Sequence, residues 1–108
     1  MTKLALAGAA VLALCAFSAA SAQPGTVTVK ISNLTFGPQT VTVPVGTTIT
    51  WINQDDLPHT VTAVDRSFRS RALDTGDSFS FSFAKPGEYA YFCSIHPMMT
   101  GKVVVRSN

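Results

Sequence analysis

Beyond residue 25 the chain alternates between apolar and polar positions. Val27, Val29 and Ile31 are interleaved with Thr26, Thr28 and Lys30; Val41 and Val43 with Thr40 and Thr42; Phe79, Phe81 and Phe83 with Ser78, Ser80 and Ser82. Successive side chains of an extended chain point to opposite sides, so each apolar set lines one face of a half-buried β-strand. No stretch of this region carries the i, i+3, i+4 spacing that would bury one face of a helix. The alternation is interrupted at Gly37-Pro38, Pro44-Val45-Gly46, Gln54 to Pro58, Asp74-Thr75-Gly76 and Lys85-Pro86-Gly87. These residues favour turns through backbone freedom, a fixed φ or local hydrogen bonding, and their spacing suits loops between short strands. The pattern predicts an all-β fold, a β-sandwich in a single domain. Asp65 to Gly76 has no clear period, and both a loop and a short helix fit it.

The first 22 residues read differently. Met1-Thr2-Lys3 leads into an almost uninterrupted apolar run from Leu4 to Phe17, and Ala20-Ser21-Ala22 closes it. A basic start, an apolar centre and a small-residue end have the layout of a secretory signal peptide, with cleavage expected before Gln23. Residues 1–22 are therefore expected to be an export leader of bacterial type, with the periplasm as destination, and residues 23–108 the mature domain. An uncleaved anchor is the competing reading, because the run is nearly long enough to span a bilayer. The alanine-rich composition and the processing site favour cleavage, which leaves no membrane attachment.

The 86 remaining residues are enough for one core. The leader takes one of the 8 basic residues, Lys3, and none of the 6 acidic ones, so the mature chain carries seven basic and six acidic groups, a net charge of +1. Such a balance gives no electrostatic footprint for nucleic acid. Arg66, Arg69 and Arg71 are offset by Asp65, Asp74 and Asp77, and the default for this segment is a solvated loop. The same default applies to Asp55 and Asp56.

Candidate chemistry is concentrated in few residues. Of 2 Cys, 2 His and 3 Met in the sequence, Cys15 and Met1 fall in the leader. The mature chain keeps one thiol, two imidazoles and two adjacent thioethers: His59, and then Cys93, His96, Met98 and Met99 within Cys93-Ser94-Ile95-His96-Pro97-Met98-Met99. A thiolate with two imidazoles and a weak thioether is the donor set of a blue-copper site. A lone thiol in an oxidising compartment also calls for a reason, and being held as a metal thiolate supplies one. Glu88 to Cys93 puts Tyr89, Tyr91 and Cys93 on one strand face, which aims the sulfur into the core. His96 lies an odd number of residues on, so Ser94 to Thr100 must leave the strand and form a tight loop if its side chain is to turn back to the sulfur.

Other chemistries fit less well. Covalent haem attachment needs two cysteines ahead of a histidine. Structural zinc would require an unusual thioether as fourth ligand. A Cys93–His59 nucleophile would lack a substrate cleft and an oxyanion donor. A multicopper oxidase would need histidines on both sides of Cys93, where this chain has Phe92 and Ser94.

The strings Trp51-Ile52-Asn53, Pro58-His59-Thr60-Val61, Gly87-Glu88-Tyr89 and Cys93-x-x-His96-x-x-Met99, followed by Gly101-Lys102-Val103-Val104-Val105, resemble a cupredoxin of the plastocyanin and amicyanin type. The short spacing from cysteine to methionine is closest to amicyanin. The resemblance spans most of residues 26–106 and implies an all-β, Greek-key β-sandwich. It implies one type 1 copper ion with His59, Cys93 and His96 as equatorial ligands and Met99 as axial ligand. It also implies that Asn53 ties the two ligand loops together, and that Met98 sits on the exposed rim. Two departures stand out: the additional N-terminal segment of amicyanin is missing from the mature chain, and Ile95 replaces the proline that precedes the second histidine there.

The resemblance implies a monomeric, non-enzymatic electron carrier between redox proteins, with a quinoprotein amine dehydrogenase and a c-type cytochrome as the expected partner types. Docking is expected at an apolar rim near Leu57, Pro58, Ile95, Pro97 and Met98. The alternative is a copper-binding or delivery protein outside any redox circuit. A buried thiolate and the lack of a Met-rich or His-rich tract favour the carrier.

Overall fold

The computed structural model describes residues 25–107, so the expected leader, residues 1–22, lies outside the described residues. Eight strands follow one another: β1 (Thr26–Ser32), β2 (Thr35–Gly37), β3 (Thr40–Pro44), β4 (Thr48–Asn53), β5 (Thr62–Ala63), β6 (Ser78–Ser82), β7 (Gly87–Phe92) and β8 (Thr100–Arg106). They form two four-stranded sheets, β2-β1-β4-β6 and β3-β8-β7-β5, and the β-sandwich that the alternation predicts is present. Each sheet is mixed: β1 runs parallel to β4 and β3 parallel to β8, while the remaining pairs are antiparallel. Chain neighbours β3 and β4 therefore lie in different sheets, which is the crossing connectivity of a Greek-key sandwich.

The period of two decides which side chains meet. Val29, Ile31, Ile49 and Trp51 from one sheet and Val41, Val43, Tyr91, Val103 and Val105 from the other are buried in one core. Outside, β4 and β6 expose hydroxyls in register, and Thr48 and Thr50 share 2.7 Å hydrogen bonds with Ser82 and Ser80. At the centre Trp51 stands edge-on to Tyr91, with ring centroids 5.4 Å apart, and Phe36 from β2 also meets Tyr91 edge-on at 4.7 Å. Offset and edge-to-face pairs of this kind add about 0.5–1.5 kcal/mol each beyond area burial.

Asp65 to Gly76 contains no helix. It folds back antiparallel over residues 59–63, with Ala63 N–H donating to Phe68 O at 2.9 Å, Ser70 N–H to Val61 O at 2.8 Å and Leu73 N–H to His59 O at 2.7 Å. Phe68 and Leu73 are buried at its two ends. Two apolar anchors at irregular spacing carry no periodic signal, so the sequence left this element open.

A two-residue turn, Asn33-Leu34, joins β1 to β2 between the paired Ser32 and Thr35. Both turn residues have positive φ, 52° at Asn33 and 59° at Leu34. Such a turn matches the twist of the strands it joins, but it normally takes Asn-Gly, because a larger side chain is crowded in the left-handed region.

Candidate metal centre

His59 and the Cys93–Met99 loop come together at one end of the sandwich. After β4, the chain turns through Gln54–Pro58 and delivers His59 beside Leu73, where the two backbones exchange hydrogen bonds of 3.1 and 2.7 Å. His59 is fully buried. Cys93 follows directly on β7, keeps the inward direction of Tyr91 and is also fully buried, as the strand pattern predicts. Beyond it the strand stops. His96 N–H donates to Cys93 O at 3.2 Å, Met99 N–H to His96 O at 2.9 Å and Cys93 N–H to Met99 O at 3.0 Å, so two successive tight turns close a loop. This brings His96 back over the sulfur, and β8 begins at Thr100.

Cys93 Sγ lies 3.7 Å from Nδ1 of His59 and 3.7 Å from Nδ1 of His96. The three donor atoms all lie within 4.8 Å of one another. For donors at about 2.3 Å for sulfur and about 2.0 Å for nitrogen from a common centre, a trigonal angle gives a sulfur–nitrogen separation of about 3.7 Å. The spacing is thus that of three ligands around one ion, and the thiolate and imidazole donors suit copper or zinc.

The neighbours of these donors fix their direction. With Nδ1 of His59 facing the sulfur, Nε2 carries the proton and donates to Asp55 Oδ2 at 2.9 Å. A carboxylate behind a ligating imidazole holds both ring orientation and tautomer. Asp55 is therefore no freely solvated loop charge, in contrast to the sequence expectation. Its carboxyl is held below the ordinary carboxylate range, first by the Leu34 N–H and then by the His59 ring. Asp56 is exposed, as expected.

Asn53 is fully buried at the end of β4. Its Nδ2 donates to Leu57 O at 2.9 Å and Leu73 O at 2.8 Å, and its Oδ1 accepts Asp55 N–H at 2.8 Å. These bonds stiffen the loop that carries His59. The link to the Cys93 loop is made by Thr60, whose N–H points at Cys93 Sγ at 3.3 Å and whose Oγ1 accepts Ser94 N–H at 2.7 Å. Thr60 Oγ1 also shares a 2.8 Å hydrogen bond with Ser94 Oγ. Asn53 thus organises one ligand loop, while Thr60 and Ser94 join the two. Neither residue was singled out by the sequence, because a hydroxyl in a loop has no pattern that marks its partner.

The two adjacent methionines face opposite ways: Met99 is 5% exposed and Met98 94% exposed. Met98 lines a shallow apolar depression of about 450 Å³ with Leu34, Ile95, His96, Pro97 and Met99. Leu57 is exposed and Pro58 lies beside it at the surface, but neither lines this depression; Leu34, far away in sequence, does. Among the described residues, no helix is long and apolar enough to cross a membrane. Of the arginines in the 65–76 loop, Arg71 pairs with Asp77 at 3.2 Å.

Comparison with known proteins agrees with this architecture. Residues 4–105 match the cupredoxin-like domain family. Amicyanin-alpha of Methylorubrum extorquens is 36% identical over 107 residues, covering 94% of this chain and 90% of that protein. Amicyanin of Paracoccus denitrificans is 34% identical, covering 82% of this chain and 72% of its own length. Among solved structures, a purple cupredoxin from Nitrosopumilus maritimus superposes with a TM-score of 0.72 at 35% identity, covering 74% of this chain and 99% of that one. On sequence, fold and the arrangement of its donor residues, the chain belongs to the cupredoxin-like family.

Proposed function

We propose that this protein is an exported, mononuclear blue-copper electron-transfer protein, with His59, Cys93 and His96 as strong ligands and Met99 as the weak axial one. The observation that carries this reading is the fully buried Cys93 sulfur with two imidazole nitrogens at the same 3.7 Å. That separation is long for a direct hydrogen bond and right for donors sharing an ion. The opposite exposures of the two methionines support Met99 as the axial ligand and Met98 as a rim residue. Bound copper supplies a one-electron change of valence.

The chain's residues hold the site still. Asn53 and Asp55 fix His59, Thr60 directs an N–H at the sulfur, and the turns from Cys93 to Met99 set His96. A frame fixed before the electron arrives changes little as it comes and goes. Four protein donors leave no position for a substrate, unlike catalytic metal sites, which keep one open. This supports a carrier over an enzyme, and the buried thiolate disfavours a delivery protein. His96 is the more exposed of the two rings and borders the apolar depression, so it is the contact point for a docked redox protein. Small apolar patches suit brief encounters. By kinship with amicyanins, an amine dehydrogenase and a c-type cytochrome are the partner types to try, with the periplasm as the compartment.

The test is to load the mature protein with copper(II) and record visible and spin-resonance spectra. An intense blue charge-transfer band with narrow hyperfine splitting, abolished in Cys93→Ala, is expected. A pale, ordinary copper spectrum would remove the proposal.

A further inference from the structure

We propose that the Asn33–Leu34 turn is a positioning element for His59, in which one oxygen of Asp55 ties the apolar rim to the buried imidazole. Leu34 N–H donates to Asp55 Oδ2 at 2.9 Å, and the same oxygen accepts His59 Nε2–H at 2.9 Å. The two bonds share one acceptor, so any movement of the turn is felt directly at the ring.

The backbone of the turn makes the case. Leu34 has φ of 59°, in the left-handed region that a bulky residue rarely adopts. Strain of this sort persists where the surroundings over-determine it, and it concentrates at functional sites. Glycine would relieve it, yet the position carries an apolar side chain that is 45% exposed and lines the depression with His96 and Met98. The conformation serves two ends at once: the side chain is presented to the rim and the N–H is aimed inward at Asp55.

Asp55 is itself held from several sides. Its N–H donates to Asn53 Oδ1 at 2.8 Å, and its carbonyl accepts the Thr75 hydroxyl at 2.6 Å. With the Asp55 backbone pinned at both its N–H and its carbonyl, the Leu34 N–H competes with the imidazole for charge on the shared carboxylate oxygen. A partner pressing on Leu34 would lengthen or shorten the N–H bond and so alter how strongly Asp55 polarises His59. Groups behind a metal-binding imidazole tune the basicity of the ligand. The rim thereby gains a hydrogen-bonded route to the site that is separate from His96.

This inference rests on His59 being a ligand, but its first test needs no metal. In the metal-free protein the Leu34 amide is expected to exchange slowly with solvent although it lies in an exposed turn, and Asp55→Ala should remove that protection. Two substitutions then separate backbone from side chain. Leu34→Gly keeps the left-handed turn and the N–H while deleting the rim side chain. Leu34→Val keeps an apolar side chain but resists positive φ because it is β-branched. In the copper(I) protein, the His59 Nε2–H resonance should stay in place for Leu34→Gly and move for Leu34→Val, and copper(II) affinity should fall about tenfold in the valine variant only. A wild-type Leu34 amide that exchanges as fast as in Asp55→Ala would overturn the inference, as would equal displacement of the His59 resonance by glycine and valine. Failure to bind copper would instead sink the proposed function, leaving the exchange result to stand on its own.

Discussion

Gly101→Ala is the substitution whose outcome the packing states most directly. Gly101 opposes Tyr91 across the β7–β8 pair, and a Cβ at position 101 would stand 2.4 Å from Tyr91 Cζ and 2.5 Å from its hydroxyl. Ordinary contacts lie at about 3.5–4.0 Å, so a methyl group would arrive about 1 Å too close. The tyrosine has little room to yield. It is 1% exposed and flanked by Phe36 and Trp51. Overpacking of this severity costs about 1–3 kcal/mol. For a domain of this size, about 2 kcal/mol lowers Tm by about 8–16 °C. Tyr91 also precedes Cys93 by two residues on the same strand face, so a displaced ring should disturb the sulfur. Urea melts of metal-free wild type, Gly101→Ala, Tyr91→Leu and the double variant would form a thermodynamic cycle, with the visible band of each copper-loaded protein as a second readout. The double variant should recover at least about 1 kcal/mol of the sum of the single costs, since residues in contact are not additive. Gly101→Ala as stable as wild type, or a cycle that closes additively, would refute the reasoning.

Met99→Leu should shift the reduction potential and retain copper, whereas Met98→Leu should leave the potential in place and slow reaction with a redox partner; voltammetry and stopped-flow separate the two. Thr60→Val removes the 2.7 Å acceptor of the Ser94 N–H, so chemical melts should show a loss of about 0.5–1.5 kcal/mol, together with a displaced sulfur charge-transfer band. Asp55, Asp65 and Asp77 are all held below the ordinary aspartate value of 3.8 in the folded protein, chiefly through the Leu34 N–H, the Ser67 hydroxyl and the Asp74 N–H respectively. A lowered folded pKa means that stability is present above 3.8 and lost as pH falls through the folded values. Acid melts should therefore steepen below that point, and least so in Asp55→Asn combined with Asp77→Asn. Burial pushes the Tyr91 hydroxyl up to about 12, so its contribution is complete below pH about 10 and fades towards 12; Tyr91→Phe should flatten the alkaline limb of the stability profile.

Particular residues show why some of this was legible in the sequence. Ile49, Trp51 and Asn53 occupy alternate positions, and all three are buried along one face of β4. Tyr91 and Cys93 follow the same rule, which by itself aims the sulfur inward. The need for a loop after Cys93 came from the odd offset to His96. Local geometry decides each of these outcomes, and local geometry is what a pattern of residues records.

What the pattern missed is equally specific. Leu34 and Asp55 are 21 residues apart and meet through a backbone N–H that every non-proline residue possesses. Thr60 and Ser94 are 34 apart and look like any loop hydroxyls. Phe68 and Leu73 anchor an irregular segment at a spacing no regular element uses.

The sequence by itself determined the strand content, the inward face of each strand and the inventory of soft donors, because side-chain alternation and donor chemistry are properties of the residues. Only the tertiary structure decided which loops lie side by side, and so the 3.7 Å separations at Cys93 and the Asp55 oxygen shared by Leu34 and His59. Those depend on how two sheets close over a common core, an outcome of packing that is not contained in any short stretch of the chain.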